Sequence, residues 1–402
     1  MTEFACLEIC AGAGGQALGL EQAGFSHSAA VEIDADACGT LRLNRPDWTT
    51  IEADVRTIRG RDFRGVDLLA GGVPCPPFSM AGQQLGAADE RDLFPEALRL
   101  AREAKPSAIM LENVRGLAGE RFAEYRSGVI SQLEELGYRA DWRLLQAADF
   151  GVPQLRPRFI LVALKPRAFR RFVWPTPEPE RTTVGQALKD LMADHGWPGA
   201  DRWAAGADRV APTLVGGSRK HGGPDLGPTR ARSEWHKLGV DGRGIANSAP
   251  SGDDPIELTP RLTLRMAARI QGFPDEWAFA GLKTATYRQI GNAFPPPVAA
   301  ALGRAISDAL HGKWRELPDE ALVDLTLALG IVPIESTRQK LATLLVLENS
   351  QGQPQIAAPT IADSDCGVVA EELAHIAGGS DALAAGMGRA IRKSYEQVYD
   401  GQ

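Results

Sequence analysis

Cys75 is one of five cysteines in the chain and stands in the stretch "GGVPCPPFS". Pro74 and Pro76 fix φ on either side of it and remove two backbone donors. A core cysteine behaves as a small hydrophobe and needs no such rigidity. The stretch follows the apolar run "VDLLA" and precedes the polar "SMAGQQLGAADERD", which places the thiol at a strand end beside a segment able to move as a lid. An isolated cysteine is more often a buried core residue; at this position the thiolate is expected to serve as a nucleophile if its neighbours lower its pKa.

Three further groupings have chemical potential. In "AIMLENVRGL" Glu112 ends an apolar strand, where an unpaired carboxylate is costly, so it is protonated or meets a partner or ligand. In "GVPQLRPRFILVAL" Arg156 and Arg158 alternate ahead of an apolar strand, and alternation sends both to one face; the bland alternative is a solvated strand start. In "CLEICAGAGGQALGLEQAGF" an apolar strand runs through Gly12, Gly14 and Gly15 into an amphipathic helix. Glycines at such a turn let a ligand approach the backbone and the helix N-terminus closely. Residues 12–17 fit G-x-G-x-x-A, so a dinucleotide enzyme has to be considered. Glu32 and Asp54 end the next two strands; two successive carboxylates suit ribose and adenine but repel phosphate, which favours S-adenosylmethionine over a nicotinamide dinucleotide.

The elements that must carry these groups are legible over the first 165 residues. Candidate strands "FACLEIC", "SAAVEID", "TTIEAD", "VDLLAGG", "AIMLENV", "DWRLLQ" and "RFILVAL" alternate with helical segments "GQALGLEQAG", "ADACGTLRLN", "LFPEALRLAREA" and "EYRSGVISQLEELG". This pattern predicts an α/β fold with a doubly wound, mostly parallel sheet, in which ligands bind beyond the carboxyl ends of strands. From Lys165 the pattern breaks. Residues 196–256 are dense in Gly, Pro, Arg and Asp, and periodicity returns at "TLRMAARIQG" and "PPVAAALGRAISDALHG". The segment after 311 reads as helical, with a break near "NSQGQPQ".

A chain of 402 residues exceeds one ordinary core. Its 44% hydrophobic and 24% charged residues are those of a globular protein. The absence of an 18-residue apolar run and of a leader-like start predicts no membrane association and a cytoplasmic location. An odd number of cysteines without a CxxC pair predicts free thiols and no structural metal. The net charge of −7 is uneven: residues 311–402 hold 7 basic against 13 acidic residues, whereas 166–250 hold 13 against 9. Charge therefore does not exclude DNA.

In order, "AGAGG", "PCPPFS", "ENV", "QLRPR", "RIQGFPDEW" and "YRQIGNAFPPPVAAALG" make the chain resemble the bacterial C5-cytosine-specific DNA methyltransferase family. The resemblance implies an S-adenosylmethionine-dependent methyltransferase fold with a catalytic domain from 1–165 plus 281–310. It further implies an inserted small, loop-rich target-recognition domain at 166–280, and leaves 311–402 as an acidic helical extension. It implies double-stranded DNA as partner, a functional pairing with a restriction endonuclease or a solitary methylase, and no metal. Cys75 would add to C6 of a flipped cytosine, and Glu112 would bond N3, a role that needs a protonated carboxyl. Arg158 would contact O2 and Arg156 would support the site; the carbonyl of Val73, with Asn113 nearby, would meet the base. The cofactor would lie among Cys10, Gly12, Gly14, Gly15, Glu32, Asp54, Val55, Pro74, Leu93, Asn292 and Phe294. Ser79 and Gln83, in the mobile stretch 76–92, would meet DNA. So would Thr213, Leu214, Arg219, Lys220, Arg230 and Arg232 of the inserted domain.

The chain departs from the family pattern in three places. Glu8-Ile9-Cys10 replaces the usual Asp-Leu-Phe, removing an aromatic that packs on adenine; Pro76 replaces a frequent glutamine; Arg265-Met266 replaces an Arg-Glu pair. Two other readings compete. A catalytically silent DNA-binding relative does not account for retention of Cys75, Glu112, Arg156 and Arg158 together. A dinucleotide oxidoreductase leaves the prolines around Cys75 and the Gln-x-Arg-x-Arg run unexplained.

Overall fold

The computed structural model describes residues 4–74, 92–217 and 223–312, with two short backbone pieces at 347–348 and 354–355. The chain divides into two compact units, Met1–Phe169 with Trp174–Ser307, and Arg170–Val173 with Asp308–Gln402.

The first unit is built on a seven-stranded sheet. Its strands are β1 (Phe4–Ile9), β2 (Phe25–Glu32), β3 (Thr50–Glu52), β4 (Leu68–Gly71), β5 (Ala108–Val114), β6 (Arg139–Gln146) and β7 (Pro157–Leu164), in the order β3-β2-β1-β4-β5-β7-β6. The first five run parallel, as their near-continuous apolar sequences predict. β7 is inserted antiparallel to both β5 and β6. Chain direction along the sheet reverses between β1 and β4, so the crevice beyond their carboxyl ends is the ligand site expected of an open α/β sheet.

Helices α1 (Gly15–Gln22), α2 (Ala35–Asn44), α3 (Phe94–Ala104) and α4 (Ala123–Glu135) lie at the predicted segments. α2 starts where the Asp34 carboxylate accepts from the N–H groups of Asp36 and Ala37, satisfying two donors that have no partner within the helix. Leu7, Ile9, Val31, Leu69, Leu111 and Leu161 from the sheet pack on Phe94, Leu98 and Leu133 from α3 and α4.

The region expected to be loop-rich contains more helix than its sequence suggested. α5 (Pro166–Phe169) is followed by α6 (Val184–Ala193), α7 (Ala200–Gly206) and α8 (Thr229–His236); α9 (Leu264–Ile270) and α11 (Pro296–His311) fall on the helical segments expected from the sequence, and α10 (Lys283–Asn292) lies between them. α7 and α8 are too short to persist alone. Tertiary packing supports them: Trp197, Trp203 and Trp235 join Leu188, Leu214, Met266 and Tyr287 in a second apolar core. The Trp197 and Trp203 indoles donate to the carbonyls of Pro255 and Gly239.

In the second unit Leu347–Glu348 (β8) pairs antiparallel with Pro354–Gln355 (β9), in place of the helix expected across Leu347–Glu348. The other helical segments expected after 312 lie outside the described residues. Among the described residues no helix is long and apolar enough to cross a membrane.

Candidate active site

The turn after β1 is held in left-handed conformations, with φ of 52° at Cys10, 54° at Gly12 and 82° at Gly14. Gly14 caps α1. A Cβ on the next residue, Gly15, would fall 2.3 Å from the Phe294 carbonyl oxygen. Glycine here lets the segment after α10 lie directly on the start of α1, which carries Asn292 and Phe294 to the crevice.

A cavity of about 1140 Å³ opens there, and Cys10, Gly12, Gly15, Glu32, Asp54, Val55, Pro74, Leu93, Asn292 and Phe294 all line it. Gly14 does not line it; it faces Leu41 and Trp277 instead. Glu32 is fixed by backbone donors: Oε2 accepts from Gly12 N at 2.8 Å, and Oε1 from Ile33 N and Asp34 N at 2.8 Å each. The Arg56 backbone N–H, then the Arg56 guanidinium, hold the Asp54 carboxyl below the usual range. Burial, then Glu32 and Asp54, push the Cys10 thiol up to about 12, so it forms a small neutral part of the wall.

Glu8, Gln16, Asp34, Arg56, Arg288 and Gln289 also line the cavity and escaped the sequence reading. Glu8, on β1, is 1% exposed and accepts from or pairs with His27 Nε2 at 3.1 Å. Burial raises its pKa, and the contact with His27 partly offsets this. Gln16 is 4% exposed. Glu8 Oε1 and both amide atoms of Gln16 have no partner among the described residues. The available signal was a lone charge inside the apolar strand "CLEIC".

The same cavity reaches Gly72, Pro74 and Glu112. β5 and β7 pair Glu112 with Ile160 and Val114 with Arg158, so Glu112 and Arg158 are diagonal neighbours on one face of the sheet. Arg158 Nε lies 2.5 Å from Glu112 Oε1, with side chains 12% and 13% exposed. Asn113 Nδ2 donates to the Val73 carbonyl at 2.9 Å, while its Oδ1 accepts from Val114 N. Asn113 thus holds the turn that leads to Cys75. The Leu93 N–H donates to the Pro74 carbonyl at 3.1 Å and ties together the two ends of the intervening segment. Cys75, Ser79 and Gln83 lie outside the described residues.

Arg156 takes a different place from Arg158. It is 1% exposed and donates to the carbonyls of Leu214 (2.8 Å), Gly291 (2.8 Å) and Ala293 (3.0 Å). It does not line the cavity. Thr213 Oγ1 donates to the Leu155 carbonyl at 2.5 Å. Leu214, expected at DNA, is 0% exposed and donates from its N–H to Gln154 Oε1; its side chain anchors the second core instead. Arg230 is exposed and Arg232 half-buried on α8, while Arg219 and Lys220 lie outside the described residues.

This architecture has known counterparts. A family model for C-5 cytosine-specific DNA methylases matches residues 4–308. Type II methyltransferase M.NaeI of Lentzea aerocolonigenes is 58% identical over 77% of this chain and 76% of its own length. Type II methyltransferase M.NgoMIV of Neisseria gonorrhoeae is 56% identical over 77% and 98%. The fold is shared with the methyltransferase EhMeth of Entamoeba histolytica at a TM-score of 0.55 and 16% identity, covering 77% of this chain and 99% of that one. The chain belongs to the C-5 cytosine-specific DNA methylase family and is a DNA (cytosine-5)-methyltransferase.

Proposed function

We propose that this enzyme uses Cys75 as its nucleophile on a cytosine flipped out of double-stranded DNA, with S-adenosylmethionine as methyl donor, in a Type II modification system. The observation that carries this reading is the pairing of Arg158 with Glu112, which lines the cavity together with Pro74, the residue before Cys75. The donor set suits the cofactor. Glu32 and Asp54 supply acceptors for ribose and adenine, Val55 and Leu93 supply apolar walls, and Glu8 and Gln16 supply buried polar atoms still able to bond a ligand. S-adenosylmethionine, when bound, supplies the methyl group as an electrophile and departs as S-adenosylhomocysteine.

Cytosine C5 is too weak a nucleophile to take that methyl directly. Addition of the Cys75 thiolate to C6 moves electron density to C5. Glu112 shares a proton with N3 as charge develops there, and Arg158 holds O2. The Val73 carbonyl, already oriented by Asn113, accepts from the exocyclic amine. C5 takes the methyl group as the donor's carbon–sulfur bond breaks; the C5 proton then passes to water, the proton shared with N3 returns to Glu112, and the C6–sulfur bond breaks, which restores the ring and the thiolate.

Residues 1–165 with 281–310 are read as the catalytic part and 166–280 as the target-recognition part. Thr213, Arg230 and Arg232, with Arg219 and Lys220, are its candidate DNA contacts; arginine suits guanine edges and lysine suits phosphate. A restriction endonuclease is a functional partner in this reading, and the cytoplasm is the expected location.

The test is transfer of labelled methyl from S-adenosylmethionine to mixed-sequence duplex DNA. Label at cytosine C5 is expected, and its loss in Cys75→Ser. Label at adenine N6 or cytosine N4, or a fully active Cys75→Ser, would reject the reading. Duplexes containing 5-fluorocytosine should trap the enzyme covalently, because fluorine cannot leave as a proton does.

A further inference from the structure

Glu8 lines the cavity with one carboxylate oxygen fixed and the other open. β1 and β2 pair Cys6 with His27 and Glu8 with Ala30, and the register shifts by one residue between the two pairs. Cys6 and Glu8 point to one face of the sheet, so His27 reaches Glu8 along the diagonal. His27 Nε2 lies 3.1 Å from Glu8 Oε2, and the two side chains are 0% and 1% exposed. An ionised carboxylate only accepts, so the proton of this contact sits on Nε2.

The imidazole is itself held in place. Its ring stacks on Trp48 at a centroid distance of 4.3 Å. The Arg45 guanidinium lies over the same indole at 5.7 Å and bonds Glu21 of α1 through Nε and Nη2. His27 does not line the cavity; it acts on Glu8 from behind the wall.

Glu8 Oε1 and both amide atoms of the buried Gln16 have no partner among the described residues. Burial pushes the Glu8 carboxyl up, with Glu32 adding to the push, while His27 and the Ala17 backbone N–H favour its ionised form. A buried carboxylate with an open oxygen is stabilised by a cation. S-adenosylmethionine presents adenine, ribose and an amino-acid end. With Glu32 and Asp54 taking ribose and adenine, the amino-acid end is left for β1 and the start of α1. Its ammonium suits Glu8 Oε1, and Gln16 Nε2 can donate to its carboxylate.

We infer that His27 is a positioning residue for cofactor binding: by holding Glu8 Oε2 it keeps Oε1 ready to take the ammonium group of the cofactor's amino-acid end. The inference rests on the proposed S-adenosylmethionine site. Without the His27 donor the buried carboxyl takes up a proton, and a neutral carboxylic acid no longer draws a cation.

The experiment is calorimetric binding of S-adenosylhomocysteine and of its analogue with hydrogen in place of the amino group. Neither carries a sulfonium, so the two differ by the ammonium alone. The wild type should prefer S-adenosylhomocysteine by about tenfold or more, the scale of a hydrogen bond between charged groups. His27→Phe keeps a flat ring against Trp48 without a donor, and His27→Leu does so with less bulk. In each, the preference should fall to within about threefold of unity, with affinity for the desamino analogue within about threefold of wild type. His27→Gln, whose amide can donate to Glu8, should restore most of the preference. Thermal unfolding shows which His27 variants keep the wild-type fold, and Glu8→Gln, expected to lose the preference too, tests the same contact if neither donorless variant does. A wild type that binds both ligands alike overturns the inference and leaves the proposed function standing. So does a preference that survives in a folded donorless variant or in Glu8→Gln, or an equal loss of both ligands in the His27 variants. A wild type that binds neither ligand overturns the proposed function, and this inference with it.

Discussion

At the scale of single residues, Glu112 and Arg158 pair across β5 and β7, and the substrate is expected to meet both. Arg158→Ala should lower the rate of methyl transfer by about 10²–10³-fold, the usual cost of losing one preorganised donor to developing charge. The partly exposed site should limit the stability loss to about 1–3 kcal/mol for the orphaned carboxylate. Single-turnover methylation and denaturant unfolding of the same preparation separate the two effects. Glu112→Gln keeps a donor for N3 and the shape of the site but cannot pass a proton. Its transfer rate should fall by about 10²-fold or more with duplex affinity within about threefold of wild type. A comparable loss in duplex affinity would make Glu112 a binding group rather than a proton donor.

At the scale of elements, the glycine turn after β1 decides whether the cavity forms. Gly15→Ala places a methyl 2.3 Å from the Phe294 carbonyl oxygen, backbone that cannot rotate away. A stability loss of about 1–3 kcal/mol is expected, as for other overpacked sites, with S-adenosylhomocysteine affinity falling by tenfold or more as 292–294 is pushed off α1. Calorimetric binding and thermal unfolding check both; unchanged affinity would mean that this packing does not shape the cofactor site. The same region shows what the sequence could reveal. The strand-end position of Glu32 was legible because it closes an apolar run, and α2 coincides with "ADACGTLRLN"; Glu112 instead lies inside β5, two residues before its end, and Asp54 lies two residues beyond β3. α10 was not legible, because "KTATYRQIGN" has few apolar residues and draws its order from packing of Tyr287 and Ile290 in the second core. Nor was the role of Arg156: alternation places it beside Arg158, but the carbonyls it binds lie 58 to 137 residues away in sequence. Cys75 itself stays a reading of its sequence neighbours.

At the scale of the whole molecule, charge is organised into networks that join elements distant in sequence. Arg269 on α9 meets Asp190 on α6 at 2.5 Å and also Asp275, which Arg265 reaches at 3.0 Å. The Arg269 guanidinium first, then Arg265, hold the Asp275 carboxyl at about 2. A depressed carboxyl contributes stability that is complete above its unfolded pKa of about 3.9 and is lost as pH falls through its folded value. Asp275→Asn should therefore cost about 1–2 kcal/mol at pH 7, discounted for the 29% exposure of the side chain. That deficit should shrink between about pH 4 and pH 2, where the wild-type carboxylate is itself being protonated. Unfolding followed by tryptophan fluorescence is suited to this, since Trp197, Trp203 and Trp235 sit in the core that α6 and α9 share. Because the chain forms two compact units, the relevant transition is the one those tryptophans report. A deficit that persists undiminished at pH 2 would show that Asp275 stabilises by shape rather than by charge.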